Sequence, residues 1–365
     1  MKKISLLFVL MLSVVSLAIS QNTKTSTKKK RVKFIPIPII SYSPETRLAL
    51  GALGQLTFKL NGEDTLSRSS SAQATFIYTL NNQYLIEGEY TLLFNKEKYI
   101  LNGEASFRKF PEFYYGIGNN TNETNEEEFS YLSFDWDGYF VRKLRPNLFV
   151  GISYKFSQMY GVELTENTTL GNSTLPGAKG FRVTGVGPTL IYDSRNSVIN
   201  ATRGAYVETF ARFFNQSFGG DYDYQFYRID ARKYFPLSSD ERHVLALQAL
   251  GEFREGTIPV HQLSRMGGDA IMRGHYNGRF REKHYWAMQS EYRFPIYRFL
   301  GAVGFAGIGN VCKDCFSSDA FKDLKYSVGG GLRIMVDKEE RVNLRIDYAF
   351  VEGGSEFYIQ FTEAF

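Results

Sequence analysis

The 365-residue sequence is poor in the residue types that metal and redox enzymes need. It contains two cysteines and four histidines, and the histidines are scattered without the spacing of a metal site. After residue 20 no window of 18 apolar residues occurs, which excludes a bundle of transmembrane helices. The sequence therefore indicates no cofactor and no metal.

Neither sign of charge dominates once residues 1–34 are counted separately from residues 35–365. Eight of the 43 basic residues precede position 35, so 35 basic residues stand against 38 acidic ones in the rest. A remainder of net charge −3 argues against nucleic-acid binding. Residues 21–34 are basic and free of acids, which predicts a solvated tail; contact with anionic lipid headgroups is the alternative.

The first 20 residues have the pattern of a secretory signal peptide. Lys2 and Lys3 precede an apolar run that ends in small residues at 18 and 20, where a signal peptidase would cleave. An N-terminal membrane anchor is the alternative, but the run is shorter than the roughly 20 residues that a spanning helix needs. We therefore expect an exported chain.

Aromatic residues are abundant, with 31 Phe and 24 Tyr, and they recur with a period of two. Segments 131–140, 285–294 and 341–350 each alternate apolar side chains with polar or charged ones. In a soluble β-sandwich the apolar face would form the core, whereas in an outer-membrane barrel it would meet lipid. The alternation alone leaves both architectures open.

Three further features favour the barrel. Aromatic side chains gather near segment ends, as at 110–115, where the interfacial girdles of a barrel would lie. The strand segments run to about 9–14 residues, longer than the usual strands of soluble sheets. Residues 356–365 alternate and end on an aromatic, so that Phe361 and Phe365 resemble the C-terminal sorting signal of outer-membrane barrels.

The connections between segments predict the strand count. Seven short polar or proline-bearing links alternate with eight connections of varied length, which together join sixteen antiparallel strands. We therefore expect an all-β transmembrane barrel over 35–365, after a signal peptide at 1–20 and a basic periplasmic tail at 21–34. Pro36 and Pro38 lie in the first strand, which predicts weak hydrogen bonding between the first and last strands.

The connection at 256–283 contains the most specific motif, GGDAIMRGHY, at residues 267–276. Here the sequence resembles the BamA/TamA family of outer-membrane proteins, also called the bacterial surface antigen family. Segments 113–119, 192–204 and 291–295 are also similar to family motifs. The resemblance covers roughly residues 35–365 and implies an outer-membrane location.

The resemblance implies that this long outer connection folds back into the barrel lumen. The residues at its tip would be Met272, Arg273, Gly274 and His275. A guanidinium inside a lumen needs a carboxylate partner, and we expect Glu291 to be that partner of Arg273. The family usually has a second acid where this sequence has Gly307, so a single pair is the simpler expectation. A solvated surface position for Arg273 is the alternative.

Enzyme and redox functions find little support. His261 near Ser264 is the local candidate for a rim hydrolase, but no oriented third group can be named, and we expect no catalytic residues. Cys312 and Cys315 are expected to form a disulfide in an outer loop. A thioredoxin-like site would need a βαβ setting, and two cysteines supply half of a zinc site.

Two functions remain open. Relatives that assemble or translocate proteins carry periplasmic polypeptide-transport-associated domains, and we expect no such domain between the signal peptide and the barrel, where residues 21–34 lie. The first hypothesis is an accessory factor in the assembly, insertion or export of outer-membrane or surface proteins. It would act with periplasmic or lipoprotein partners on client proteins. The second hypothesis is a passive pore or structural barrel.

Overall fold

The structure of the protein is a computed structural model that describes residues 32–43, 47–60, 70–165, 168–338 and 341–365. The expected signal peptide and residues 21–31 of the expected tail lie outside the described residues. The first strand begins at Val32, three residues before the expected start of the barrel. No helix within the described ranges is long and apolar enough to cross a membrane.

The described residues form sixteen long strands and one short hairpin. The long strands are β1 (Val32–Ser43), β2 (Arg47–Phe58), β3 (Ser70–Thr79), β4 (Tyr84–Phe94), β5 (Tyr99–Tyr114), β6 (Glu127–Arg145), β7 (Leu148–Leu164), β8 (Phe181–Asp193), β9 (Gly204–Phe214), β10 (Tyr224–Pro236), β11 (Val244–Gly256), β14 (His284–Tyr297), β15 (Leu300–Cys312), β16 (Lys325–Asp337), β17 (Val342–Val351) and β18 (Gly354–Phe361). The hairpin consists of β12 (Ser264–Met266) and β13 (Phe280–Glu282). Short 3₁₀ turns cover Glu123–Asn125, Gln216–Phe218, Val260–Gln262 and Ser318–Phe321.

The sixteen long strands close into one antiparallel barrel. Each strand pairs with its neighbour in the chain, β11 pairs with β14 across the hairpin, and β1 returns to β18. The predicted all-β architecture and strand number are confirmed. The fifteen connections lie near the predicted ones, although those that flank β5–β7 are shorter, so one end of the barrel carries short turns and the other carries the long loops.

The period of two separates an apolar outer face from a polar inner one. On β14, Met288 and Tyr292 are 55% and 38% exposed, whereas Glu291 between them and Tyr285 are buried. Exposed apolar side chains line the same outer face on the other strands, as Phe134 does on β6. A closed barrel that presents apolar side chains outward and buries charge inward is suited to lipid.

Strands β5, β6 and β7 are longer than the roughly 9–14 residues expected from the sequence. These strands contain 16, 19 and 17 residues, and β5 stays paired with β6 as far as Tyr114 and Glu127. The pairing continues because the alternation continues, well past the roughly 9–11 residues that cross a bilayer. Tyr114, at the end of this pairing, is 2% exposed, and Tyr115, whose ring centroid lies 6.1 Å from that of Tyr276, is 6% exposed. The interfacial position expected for these two residues is therefore wrong.

The largest apolar cluster lies at the loop end of the barrel. It joins inward-facing residues of β5–β10 to residues of the connections at 165–180 and 257–263. Its buried members are Tyr114, Phe129, Tyr131, Met159, Leu170, Ala178, Phe181, Val183, Phe210, Phe214, Tyr224, Phe226, Ile258, Val260 and Leu263. Folded connections therefore pack across this part of the barrel and do not extend freely into solvent.

The seam between the first and last strands is the weakest contact between neighbours. Among the described residues, Tyr42 and Ile359 form the single register pair between β1 and β18. Across the other edges of these two strands, β1 and β2 share twelve pairs and β17 and β18 share eight. The expected weak seam is confirmed, and its proline-bearing strand stays fully paired on the opposite side.

Candidate functional site: the loop tip and the inner wall

The connection between β11 and β14, residues 257–283, reaches two sides of the barrel. On the β5 side, Arg265 forms an ion pair with Glu112 at 3.1 Å, and Gly118 forms an isolated bridge with Arg281. On the other side, its tip contacts inward-facing residues of β14–β18. We call residues 272–275 the loop tip.

The backbone of the loop tip requires its glycine. Gly274 has φ +103, and a Cβ atom there would lie 2.6 Å from the Val351 side chain on β17. Its N–H donates to the Tyr358 hydroxyl on β18 at 2.9 Å. Glycine is therefore the residue that permits both the left-handed conformation and the close approach to the wall.

Arg273 lies between two carboxylates. Its Nη2 donates to Glu291 Oε2 at 2.8 Å and its Nη1 donates to Asp347 Oδ2 at 2.6 Å, and all three side chains are fully buried. The guanidinium carbon also lies 3.5 Å from the centroid of the Phe305 ring. Buried charges need such compensation, so removal of any one of the three groups would leave a buried charge without its partner.

The second carboxylate was missed at the sequence level, where a single partner was the simpler expectation. Gly307, which occupies the position of the family's second acid, faces Met272: a Cβ there would lie 3.4 Å from the Met272 sulfur. Asp347 on β17 supplies the charge instead. The alternation at 341–350 already predicted a charged inner face at Asp347, but it gave no information on which loop residue would meet it.

The ion pairs extend toward the turn end of the barrel. Arg333 Nη1 donates to Asp347 at 2.6 Å and its Nε donates to Glu363 at 2.7 Å. Arg345 Nη2 donates to Asp269 in the connection at 3.3 Å. We call the set formed by Arg273 and the buried charges around it the wall network. Its members are Arg273, Glu291, Arg293, Arg333, Arg345, Asp347 and Glu363.

The segment after β18 joins the same network. Thr362 has φ +68, which ends the strand, and Glu363 beyond it is buried among the arginines. Arg293 donates to Glu291 at 2.8 Å, to the Phe365 carbonyl at 2.9 Å and to the Ala201 carbonyl at 3.3 Å. One side chain therefore connects β14, the turn at 194–203 and the chain end.

The two expected sorting-signal residues lie in different surroundings. Phe361 ends β18 and pairs with Leu344. Phe365 is buried against Tyr234, Val244 and other residues at the turn end of the barrel. Their role in sorting stays a prediction, because a sorting signal is recognised before the barrel folds, whereas these contacts belong to the folded barrel.

Two buried histidines of the connection are held in the neutral form. Burial lowers the pKa of His275 to about 4, and Lys325 and Arg279 lower it further, against a hydrogen bond with the Tyr326 backbone. Burial also lowers the pKa of His261 to about 4, with Arg281 nearby. Protonation of either ring would place a charge in an apolar, cationic environment.

The other candidate residues lie outside the loop tip. A disulfide joins Cys312 to Cys315 at the loop end of β15. His261 Nε2 is 3.3 Å from the Ala178 carbonyl, whereas the Ser264 hydroxyl donates to the Lys283 carbonyl and accepts from Arg254. These separate partners give no support to a paired nucleophile and base.

Together, the closed sixteen-stranded barrel, its apolar outer face and its ion-paired interior define an outer-membrane β-barrel protein. A family model for the Omp85 superfamily domain matches residues 93–362. The chain belongs to the Omp85 superfamily, which confirms the family resemblance and the outer-membrane location. No curated protein sequence matches the chain.

Solved structures show the same fold at low identity. BamA from Haemophilus ducreyi lacking POTRA domains 1–3 matches with a TM-score of 0.59 and 13% identity, over 92% of this chain and 70% of that one. CdiB from Acinetobacter baumannii matches with a TM-score of 0.58 and 11% identity, over 90% and 60%. CdiB from Escherichia coli matches with a TM-score of 0.60 and 10% identity, over 92% and 63%. The chain thus spans less than two thirds of either CdiB structure.

Proposed function

We propose that this barrel is an accessory factor in the assembly, insertion or export of outer-membrane or surface proteins. Barrels of its superfamily mediate the insertion or secretion of proteins at the outer membrane. The specific role proposed here is that the β1–β18 seam opens toward a client strand while the loop tip holds the neighbouring wall.

The seam is the observation that carries the proposal. One register pair joins β1 to β18, against eight between β17 and β18, so separation at the seam breaks few backbone hydrogen bonds. An opened seam exposes two strand edges, and an unpaired edge is a template for another strand. A client strand could add there by β-augmentation.

The loop tip supports the proposal because it holds β18 from inside. Gly274 binds Tyr358 of β18, and Arg333 binds Glu363 just beyond it. These contacts do not involve β1, so β18 keeps its position when the seam opens. The strand β1 could therefore move away from the seam while the wall network keeps β18 in place.

The packing of the loop end weighs against the passive pore. Apolar and ion-paired side chains from residues 168–180 and 257–283 pack across that part of the lumen. An open sixteen-stranded lumen would need this space free for water. A purely structural barrel is the remaining alternative, and the seam experiment below separates it from the proposed function.

Partners follow from the proposed function. A barrel that acts on clients needs a means of receiving them from the periplasm, so we expect periplasmic or lipoprotein partners and unfinished barrels as clients. Crosslinking in native outer membranes followed by mass spectrometry would recover them. A barrel crosslinked to itself alone would argue for the structural alternative.

The decisive test locks the seam. Tyr42→Cys with Ile359→Cys, oxidised in the membrane, should join β1 to β18 and abolish complementation of a deletion strain, measured as surface levels of outer-membrane proteins. The matched control, Ile346→Cys with Ile359→Cys, joins strands that are already fully paired and should retain function. Reduction of the engineered disulfide should restore complementation by the locked variant.

Equal function of locked and control variants would refute a role for the seam. Single-channel recording of the purified barrel then tests the pore. The proposed function predicts a closed baseline for the folded protein, whereas steady conductance of the wild type would favour the pore.

A further inference from the structure

The two most exposed large apolar side chains among the described residues lie in one outer connection. Phe316 is 82% exposed and Phe321 is 71% exposed, and both lie in the connection at 313–324 between β15 and β16. Phenylalanine carries no polar atom that could make this exposure to water favourable. Two such rings in one connection therefore indicate a surface that is covered by something other than water.

The connection places these rings on the outer face of the barrel. The Phe316 ring stacks on Phe253 of β11 with 5.4 Å between centroids, and the Phe321 ring lies 5.8 Å from Trp286 of β14. Phe253 and Trp286 belong to the outward-facing rows of their strands, together with Leu247 and Met288. The exposed rings thus extend the lipid-facing surface past the strand ends.

Polar contacts hold the connection in this position. Trp286 Nε1 donates to the Ala320 carbonyl at 3.2 Å, and Asn310 Nδ2 donates to the same carbonyl at 2.9 Å. The Phe316 N–H donates at 3.0 Å to Asp314, which lies between the two cysteines of the Cys312–Cys315 disulfide. A surface fixed before contact loses little conformational freedom when it binds.

Lipid is the occupant that fits this surface. Below the connection, Tyr326 and Val328 of β16 are 61% and 56% exposed on the outward-facing side, so the rings continue an apolar band that already meets lipid. Lys313 and Asp314 are exposed beside the rings. A mixture of aromatic rings and charged side chains at a strand end is suited to the headgroup boundary.

We propose that the connection at 313–324 is a membrane anchor that inserts Phe316 and Phe321 into the lipid leaflet at the loop end of the barrel. The disulfide and Asn310 set the angle of insertion. The anchor fastens β14–β16 to the membrane, and this role is independent of any client.

Photocrosslinking in native outer membranes tests the anchor. Benzoylphenylalanine replaces Phe316 or Phe321 in the full-length protein, and each variant is first shown to keep the heat-modifiable mobility of a folded barrel. Ile117, which is 37% exposed in the connection at 115–126, is the control position. Illumination followed by intact-mass spectrometry identifies whatever is attached.

The anchor predicts lipid adducts at positions 316 and 321 at a yield several-fold above position 117. Two positions keep the test usable if one variant fails to fold. Protein adducts at both positions would overturn the proposal in favour of a protein-docking surface. Absence of adducts, or equal lipid labelling at position 117, would overturn it as well.

Discussion

The two edges of β18 show how unevenly this barrel is held together. On one edge, β18 shares eight register pairs with β17, and the wall network lies directly behind it. On the other edge, one pair among the described residues joins it to β1. Local stability in proteins follows local contacts, so the same strand belongs to a rigid wall and to a weak seam. The function proposed above uses this contrast.

The largest expected effect on stability comes from removing Arg273, the residue at the centre of the wall network. Arg273→Ala leaves Glu291 and Asp347 buried without their shared cation, which should destabilise the connection by about 3–5 kcal/mol. Limited proteolysis within 257–283 and urea unfolding in lipid vesicles measure the change. Arg182→Ala, which breaks an exposed pair with Asp221, should cost no more than about 1 kcal/mol. Equal effects of the two variants would contradict the contrast.

The next largest effect concerns Asp347, whose pairing with Arg273 was not expected from the sequence. Asp347→Asn keeps the shape of the side chain but removes the charge that Arg273 and Arg333 share, at an expected cost of about 2–3 kcal/mol. The same two assays apply, and the variant should resemble Arg273→Ala more closely than Arg182→Ala. A wild-type protease pattern would mean that Glu291 alone holds the loop tip.

These two variants also mark what could be predicted from the sequence. The period of two predicted the faces, the turn residues predicted the connections, and the family motif indicated Arg273 and Glu291. The lengths of β5–β7 exceed the expectation because the alternation alone does not show where strand pairing ends. The partnership with Asp347 could not be predicted, because it depends on where a loop residue meets a strand 74 residues further along the chain. The inward position of Phe365 likewise depends on the change of direction at Thr362.

Low pH should destabilise the connection at 257–283 but not the seam between β1 and β18. A histidine in the unfolded chain titrates near pH 6.5, whereas burial lowers the pKa of His275 to about 4, so the folded state binds fewer protons. Its stabilising contribution is complete above about pH 6.5 and is lost as the pH falls toward 4. At pH 5 the loss from His275 alone should be about 2 kcal/mol, read as faster proteolysis within 257–283.

The matched control for this pH effect is His275→Gln, which removes the titrating ring. It should flatten part of the pH dependence, while the contribution of His261 remains because burial lowers its pKa to about 4 as well. An unchanged profile in a His275→Gln, His261→Gln double variant would show that other groups govern the acid response.

The smallest expected effect concerns the outer disulfide. Cys312→Ser with Cys315→Ser opens a ring of few residues, so the chain-entropy contribution is about 2 kcal/mol at most. Protease sensitivity should rise within 313–324 and stay unchanged within 257–283, because the two connections are held by different contacts. Loss of the loop tip in this variant would contradict that independence.

Hydrogen–deuterium exchange in nanodiscs tests the central contrast most directly. Amides of β18 that face β1 should exchange much faster than amides of β15–β17, and Arg273→Ala should reduce the difference by weakening the wall. Equal protection of the seam and the wall in the wild-type protein would contradict the account, because a seam as stable as the wall could not open first.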